Sequence, residues 1–173
     1  MKYITSYSKH PRKNLPNGRK RKESDFVLAF GRAFRVEVNK KLRKNQVFEL
    51  VREMYIPGFG IADMVAVRQN RNDTFLYAFE MKLKGWRKAL SQAYRYKYYS
   101  DLVSVVLPFN EAEKASQYLK LFQILNIGLI AFDASRKIIH TFYEPKQELP
   151  LSKVANEKAR ALFIENFKSL LSV

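Results

Sequence analysis

Between Gln46 and Leu83 the chain passes through three stretches rich in apolar, β-branched and aromatic residues, separated by two short polar or glycine-bearing segments. Phe48, Leu50, Val51, Met54, Tyr55 and Ile56 predict a first strand, and Pro57-Gly-Phe-Gly60 a turn. Ile61 to Val67 reads as a second strand and Thr74 to Leu83 as a third. The connection Gln69-Asn-Arg-Asn-Asp73 is polar and turn-rich, so these last two strands should pair as a hairpin.

The flanking sequence fixes the class. Ser24 is a plausible helix cap, and Phe26, Val27, Phe30, Phe34, Val38 and Leu42 recur at helical spacing, which predicts a helix over 24–43. Gly31 weakens that helix without excluding it. A second helix is expected at about 86–100, followed by the near-continuous apolar strand Leu102–Pro108. Asn110 and Glu113 resemble a capping box ahead of the stripe Ala115, Tyr118, Leu119, Phe122 and Leu125. Ile127–Phe132 then reads as a buried strand, Lys137–Tyr143 as an edge strand, and 153–171 as a last amphipathic helix. A meander followed by alternating helices and strands implies an α/β fold, a mixed sheet with helices on both faces. The 173 residues suit one domain, 23–173, preceded by a flexible basic arm over 1–22.

Charge narrows the partners. Thirty-two Lys and Arg face sixteen Asp and Glu, a formal +16. The first 22 residues hold eight basic side chains, Arg19, Lys20, Arg21 and Lys22 among them, and no acid. Residues 23–173 keep 24 basic against 16 acidic groups, a net of +8, so the body is basic without the arm. A polyanion such as nucleic acid is the natural partner, because each neutralised phosphate releases counterions. An anionic membrane surface is a weaker alternative. No apolar run reaches the length of a membrane span, and the N-terminus lacks the apolar region of a signal peptide.

Chemistry is narrowed by what is scarce. With no cysteine, disulfides and thiolate metal sites are excluded, and a cytoplasmic location, nucleoid-associated in a bacterium, is expected. Two histidines, one in the arm and His140 in an apolar run, are too few for a zinc site or a serine–histidine triad. A metal would have to be held by oxygen, which points to Mg²⁺ or Mn²⁺.

Three residues interrupt the apolar strands. Glu80 and Lys82 lie two apart and point to one face, while Phe79 and Met81 point to the other. Alone, Glu-x-Lys is an ordinary surface pair. Asp63 interrupts the second strand just after the glycine turn, and the hairpin can place it beside Glu80. Two neighbouring carboxylates repel unless one is protonated or a cation sits between them. On the next helix Gln92 and Tyr96 are four apart and share a face. Arg95 and Tyr99 in the same stretch are of the types that hold a phosphate backbone or stack on bases, although core packing explains several of these aromatics, Trp86 included.

Gly60-Ile-Ala-Asp63, Glu80-Met-Lys82 and Gln92-Ala-Tyr-Arg-Tyr96, in that order, resemble the PD-(D/E)XK nuclease superfamily, and more closely its RecB-type branch. The resemblance covers roughly residues 24–133, and Ala62 stands where the family pattern has proline. It implies a restriction-endonuclease-like core and Mg²⁺-dependent hydrolysis of DNA. It further implies that Asp63, Glu80 and the Met81 carbonyl hold the metal, that Lys82 assists the attacking water, and that Gln92 and Tyr96 support the site. The family often adds a first-helix glutamate, for which Glu23 and Glu37 both stand open. Many such nucleases act as dimers, so a homodimer is compatible. The competing expectations are a catalytically silent nucleic-acid-binding module on the same fold and a basic RNA-binding protein.

Overall fold

The computed structural model describes residues 18–42, 46–69 and 74–171. Helix α1 spans Gly18–Asn39, and strands β1 (Val47–Ile56), β2 (Gly60–Gln69) and β3 (Thr74–Met81) form the meander. Helix α2 (Trp86–Tyr94) tightens into a 3-10 turn over Arg95–Tyr98. Strand β4 (Leu102–Leu107), helices α3 (Phe109–Ser116) and α4 (Leu119–Leu125), strands β5 (Gly128–Asp133) and β6 (Ile138–Tyr143), and helix α5 (Lys153–Leu171) complete the chain.

All six strands form one sheet in the order β1-β2-β3-β4-β5-β6. Pairing is antiparallel from β1 to β3, parallel from β3 to β5, and antiparallel again at β6. The mixed α/β sheet expected from sequence is therefore present. Alternation along the strands sorts two cores. Phe26, Val27, Phe30 and Ala33 of α1 pack with Met64, Phe79, Met81 and Phe132 on one face. Helices α2 to α5 cover the other, where Leu90, Ala93, Phe122 and Phe163 meet Val65, Ala78, Val105 and Leu129.

Several boundaries differ from expectation. Helix α1 starts at Gly18 and ends at Asn39, so Arg19–Lys22, expected ahead of the first helix, are helical. Ser24 is inside that helix, where its hydroxyl accepts from the Arg52 guanidinium at 3.0 Å instead of capping. Residues 1–17, the rest of the expected arm, and 70–73 of the hairpin connection lie outside the described residues. The proposed Asn110 cap is not made: Pro108 occupies the cap position of α3, and no side chain caps it. A break at Gln117–Tyr118 divides the expected Ala115–Leu125 stripe between α3 and α4.

One irregularity bears on the site. Glu53 adopts φ 50°, a left-handed conformation that costs a side-chain-bearing residue about 1 kcal/mol. Glu53 also drops out of the β1–β2 ladder, between the pairs Arg52–Met64 and Met54–Ala62. Val51 and Met54 consequently fall in the same core although three residues apart, as do Ala62 and Val65 opposite them. The residue facing this break across the ladder is Asp63. The register is the same on either side, so Glu53 and Asp63 step out of the ladder together, and Asp63 is freed from strict alternation.

Candidate active site

The β2–β3 ladder ends at Met64 with Phe79, so the next opposed pair in register would be Asp63 with Glu80. The strands part there, and a side chain takes over from the backbone. The Met81 N–H donates to Oδ2 of Asp63 at 2.8 Å. In an extended strand the N–H and C=O of one residue point to the same side. The Met81 carbonyl therefore faces the Asp63 side as well.

Glu80 is almost wholly buried, its side chain 1% exposed. Its Oε2 accepts from the Tyr96 hydroxyl. Oε1 lies 2.9 Å from the Lys82 ammonium, an ion pair off-axis for a hydrogen bond. Lys82 Nζ also lies 3.9 Å from Asp63 Oδ2. One ammonium thus faces both carboxylates, and the structure brings together the three residues that interrupt the apolar strands. Tyr96 is held from a second side, since its oxygen is 2.9 Å from the Ile61 carbonyl. That contact ties the 3-10 turn after α2 to the start of β2.

The electrostatics follow from burial. Desolvation, and then the neighbouring charge of Asp63, push the Glu80 carboxyl up to about 7, against the pull of Lys82 and Tyr96. Burial pulls the Lys82 ammonium down, but Asp63, Glu80 and more weakly Glu23 outweigh it and the net shift is upward. Burial first, and then the Glu80 charge, raise the Tyr96 phenol far above its ordinary value. Tyr96 therefore stays protonated and acts as a donor.

The two first-helix candidates separate here. Glu23 is near enough to add to the field on Lys82. Glu37 turns to the surface and pairs with Lys40 at 2.7 Å.

The remaining expectations divide. Gln92 is half-buried on α2, and its buried Oε1 has no hydrogen-bond partner among the described residues. Arg95 is exposed at the C-cap of α2 and is open to a partner. Tyr99 is not: it is buried beside Tyr96, with ring centres 5.8 Å apart, and cannot stack on a base. Lys22 is exposed on α1. Trp86 is core, as its packing reading had it, and His140 is an exposed β6 residue between Phe109 and Phe142.

A residue that sequence reasoning missed is Glu111 on α3. Its Oε1 accepts from the backbone N–H groups of Gly85, at 2.8 Å, and Trp86, at 3.2 Å. Gly85 is the N-cap of α2, with φ 84° and no side-chain cap of its own. Only glycine takes that conformation freely, and glycine brings no oxygen to satisfy the first amides of the helix. Glu111 supplies it from 25 residues away. No local pattern around Gly85 could have announced it.

The donor set fits a hard divalent cation in kind. Asp63, Glu80 and the Met81 carbonyl offer only oxygen, and the two carboxylates already converge on one cation, the Lys82 ammonium. Among the described residues no group of three His, Cys, Asp or Glu gathers as a metal site, so a third carboxylate is not in place. The hollows do not mark this site. A hollow of about 470 Å³ lies instead at Trp86, Leu90, Tyr94 and Tyr118.

No protein-family model matches the sequence, and no curated protein matches it. Fold and site thus define a class and no more: an α/β domain with a six-stranded mixed sheet and a buried carboxylate–lysine cluster at the end of its central hairpin. No helix among the described residues is long and apolar enough to cross a membrane.

Proposed function

We propose that this chain is a metal-dependent nuclease that hydrolyses DNA phosphodiester bonds. The observation that carries the reading is the convergence of Asp63, Glu80 and Lys82, with Lys82 Nζ 2.9 Å from one carboxylate and 3.9 Å from the other. The order α1-β1-β2-β3-α2-β4 is compatible with the restriction-endonuclease-like core that the motifs resemble. The excess of basic residues supports a polyanionic substrate.

Each residue has a part in this reading. Asp63, Glu80 and the Met81 carbonyl would hold Mg²⁺ or Mn²⁺, with Glu23 the nearer first-helix acid. When bound, such an ion supplies Lewis-acid stabilisation of phosphoryl oxygens and lowers the pKa of a water. Lys82 keeps its proton, offsets charge that develops on the phosphate, and orients the attacking water. Tyr96 holds Glu80 in one rotamer by donating to Oε2 while its own oxygen stays against Ile61. Gln92 on α2 brings an amide oxygen that has no hydrogen-bond partner among the described residues.

The test is a cleavage panel of linear, circular, single-stranded and branched DNA with Mg²⁺ and Mn²⁺. Lys82→Ala and Glu80→Gln should each slow cleavage by roughly 10²–10³-fold, the range for losing one preorganised electrostatic contact. Undiminished cleavage by both variants overturns the assignment.

A second reading has its own observation. Glu80 contacts Tyr96 with one oxygen and Lys82 with the other. A buried carboxylate paired in this way can be purely structural, in a nucleic-acid-binding module that does not hydrolyse. Salt-sensitive DNA binding without cleavage in either metal distinguishes that module.

A further inference from the structure

Helix α2 carries a second surface, separate from the carboxylates. Trp86, Leu90 and Tyr94 on α2 and Tyr118, Leu121 and Leu125 around α4 border the hollow of about 470 Å³. Much of this surface is open. Tyr94 is 41% exposed, Tyr118 47% and Leu121 41%. Contiguous apolar side chains left in water mark an interaction site more often than scattered ones do.

The occupant is indicated by charge and ring geometry together. The guanidinium of Arg87 lies over the Trp86 ring at 4.3 Å and over the Tyr118 ring at 4.9 Å. A cation is thereby fixed at the lip of an aromatic floor. Residues 82–100 hold Lys82, Lys84, Arg87, Lys88, Arg95 and Lys97 and no acid. Residues 114–132, which contain α4, hold Lys114 and Lys120 and no acid. An apolar floor that carries a fixed guanidinium, on a chain with an excess of basic residues, suits a partner that is both flat and polyanionic. Duplex DNA offers phosphates but hides the faces of its bases. An unpaired strand offers both, since any base can stack on an aromatic ring while its phosphates meet Lys and Arg.

We propose that the α2–α4 groove binds the unpaired bases of single-stranded nucleic acid. Tyr94 and Tyr118 stack on bases, and Arg87 holds the backbone. Binding in the groove stands without cleavage. Its consequence for substrate class, single-stranded DNA or DNA with an unpaired flap or end, rests on the nuclease reading.

The experiment measures binding of the full chain to a labelled short oligothymidylate and to a matched duplex, by fluorescence anisotropy in chelator. The Tyr94→Leu/Tyr118→Leu pair keeps apolar bulk but removes both rings. It should lose about tenfold or more in affinity for the single strand, the scale of base–aromatic stacking, with duplex binding unchanged. The Tyr94→Phe/Tyr118→Phe pair keeps the rings and should bind as the parent does. Unchanged single-strand binding by the Leu pair overturns the groove, as does an equal loss on duplex or a loss shared by the Phe pair. A dimer in sedimentation that only the Leu pair lacks also overturns it, assigning the surface to a second copy of this chain. Cleavage is absent from the binding assay, so the two readings fail separately. Mg²⁺-dependent cleavage with binding unaltered by the Leu pair removes the groove alone. Binding lost in the Leu pair, with no cleavage by the parent, removes the nuclease alone.

Discussion

The Met81 N–H donates to Asp63 Oδ2 at 2.8 Å, just beyond the point where β2 and β3 cease to pair. A carboxylate oxygen stands in for a strand carbonyl. The backbone group is satisfied, and the negative charge of Asp63 is held beside Glu80. Asn at this position keeps an oxygen for Met81 and removes the charge. Asp63 is the second cause of the upward shift at Glu80, after burial. Asp63→Asn should therefore lower the Glu80 pKa from about 7 towards the ordinary glutamate value, without restoring it fully. Carboxyl-carbon NMR titration of parent and variant measures this. An unchanged Glu80 pKa would mean that the two carboxylates do not feel each other.

The same shift fixes the sign of a stability change. Glu80 binds its proton more tightly in the folded chain, with a pKa of about 7, than in the unfolded chain, near 4.5. Its contribution to stability is complete below pH 4.5 and is lost as pH rises through about 7. Lys82, raised from 10.5, responds only at higher pH. Urea unfolding of the metal-free chain should show stability falling across this window relative to Glu80→Gln, which cannot ionise. Parallel pH profiles for the two proteins would refute it.

A divalent cation should reverse that loss. Mg²⁺ or Mn²⁺ that binds the ionised pair stabilises only the folded state, by about 2.7 kcal/mol at a hundredfold excess over Kd. Near pH 8 the chain should melt several degrees higher with Mn²⁺ than in chelator. Glu80→Gln and Asp63→Asn should each reduce the gain. Equal shifts in all three proteins would place the ion elsewhere.

How much of this was legible depends on the distance over which each feature is determined. Glu80 and Lys82 share a face because strand alternation is local, and the hairpin connection brings Asp63 to them in register. The break at Glu53 was not legible, since a left-handed glutamate in a strand leaves no mark in composition. Tyr99 was misassigned to nucleic acid because aromatics at helical spacing read alike whether they face base or core; the 3-10 turn puts Tyr96 and Tyr99 both inside. The start of α1 was placed too late because Ser24 looked like a cap, whereas its hydroxyl serves Arg52. The nearer of the two first-helix acids needed tertiary contacts to identify, since the field of Glu23 on Lys82 and the pairing of Glu37 with Lys40 are what separate them.

Glu111 supplies the last prediction, because it holds the end of α2 that lies three residues from Lys82. Two N–H groups donate to its Oε1, from Gly85 and Trp86. Burial raises the Glu111 carboxyl, but these two amides and Lys114 outweigh it and the net shift is downward. Its contribution is therefore present above the unfolded value of 4.5 and is lost as pH falls, opposite in sign to that of Glu80. Glu111→Ala leaves both amides without an acceptor in a tight turn and should cost about 1–2 kcal/mol, the scale of a lost helix cap. Glu111→Gln keeps an oxygen and should recover part of that. Amide hydrogen exchange at Gly85 and Trp86 should quicken in the Ala variant ahead of the rest of α2. If the turn from Lys82 to Trp86 is what sets the ammonium against Asp63 and Glu80, the Ala variant should lose part of the upward Lys82 shift and push the Glu80 carboxyl further up, because Lys82 holds that carboxyl down. A variant that loses the cap yet leaves both shifts unchanged would show that the carboxylate cluster holds Lys82 without help from α2.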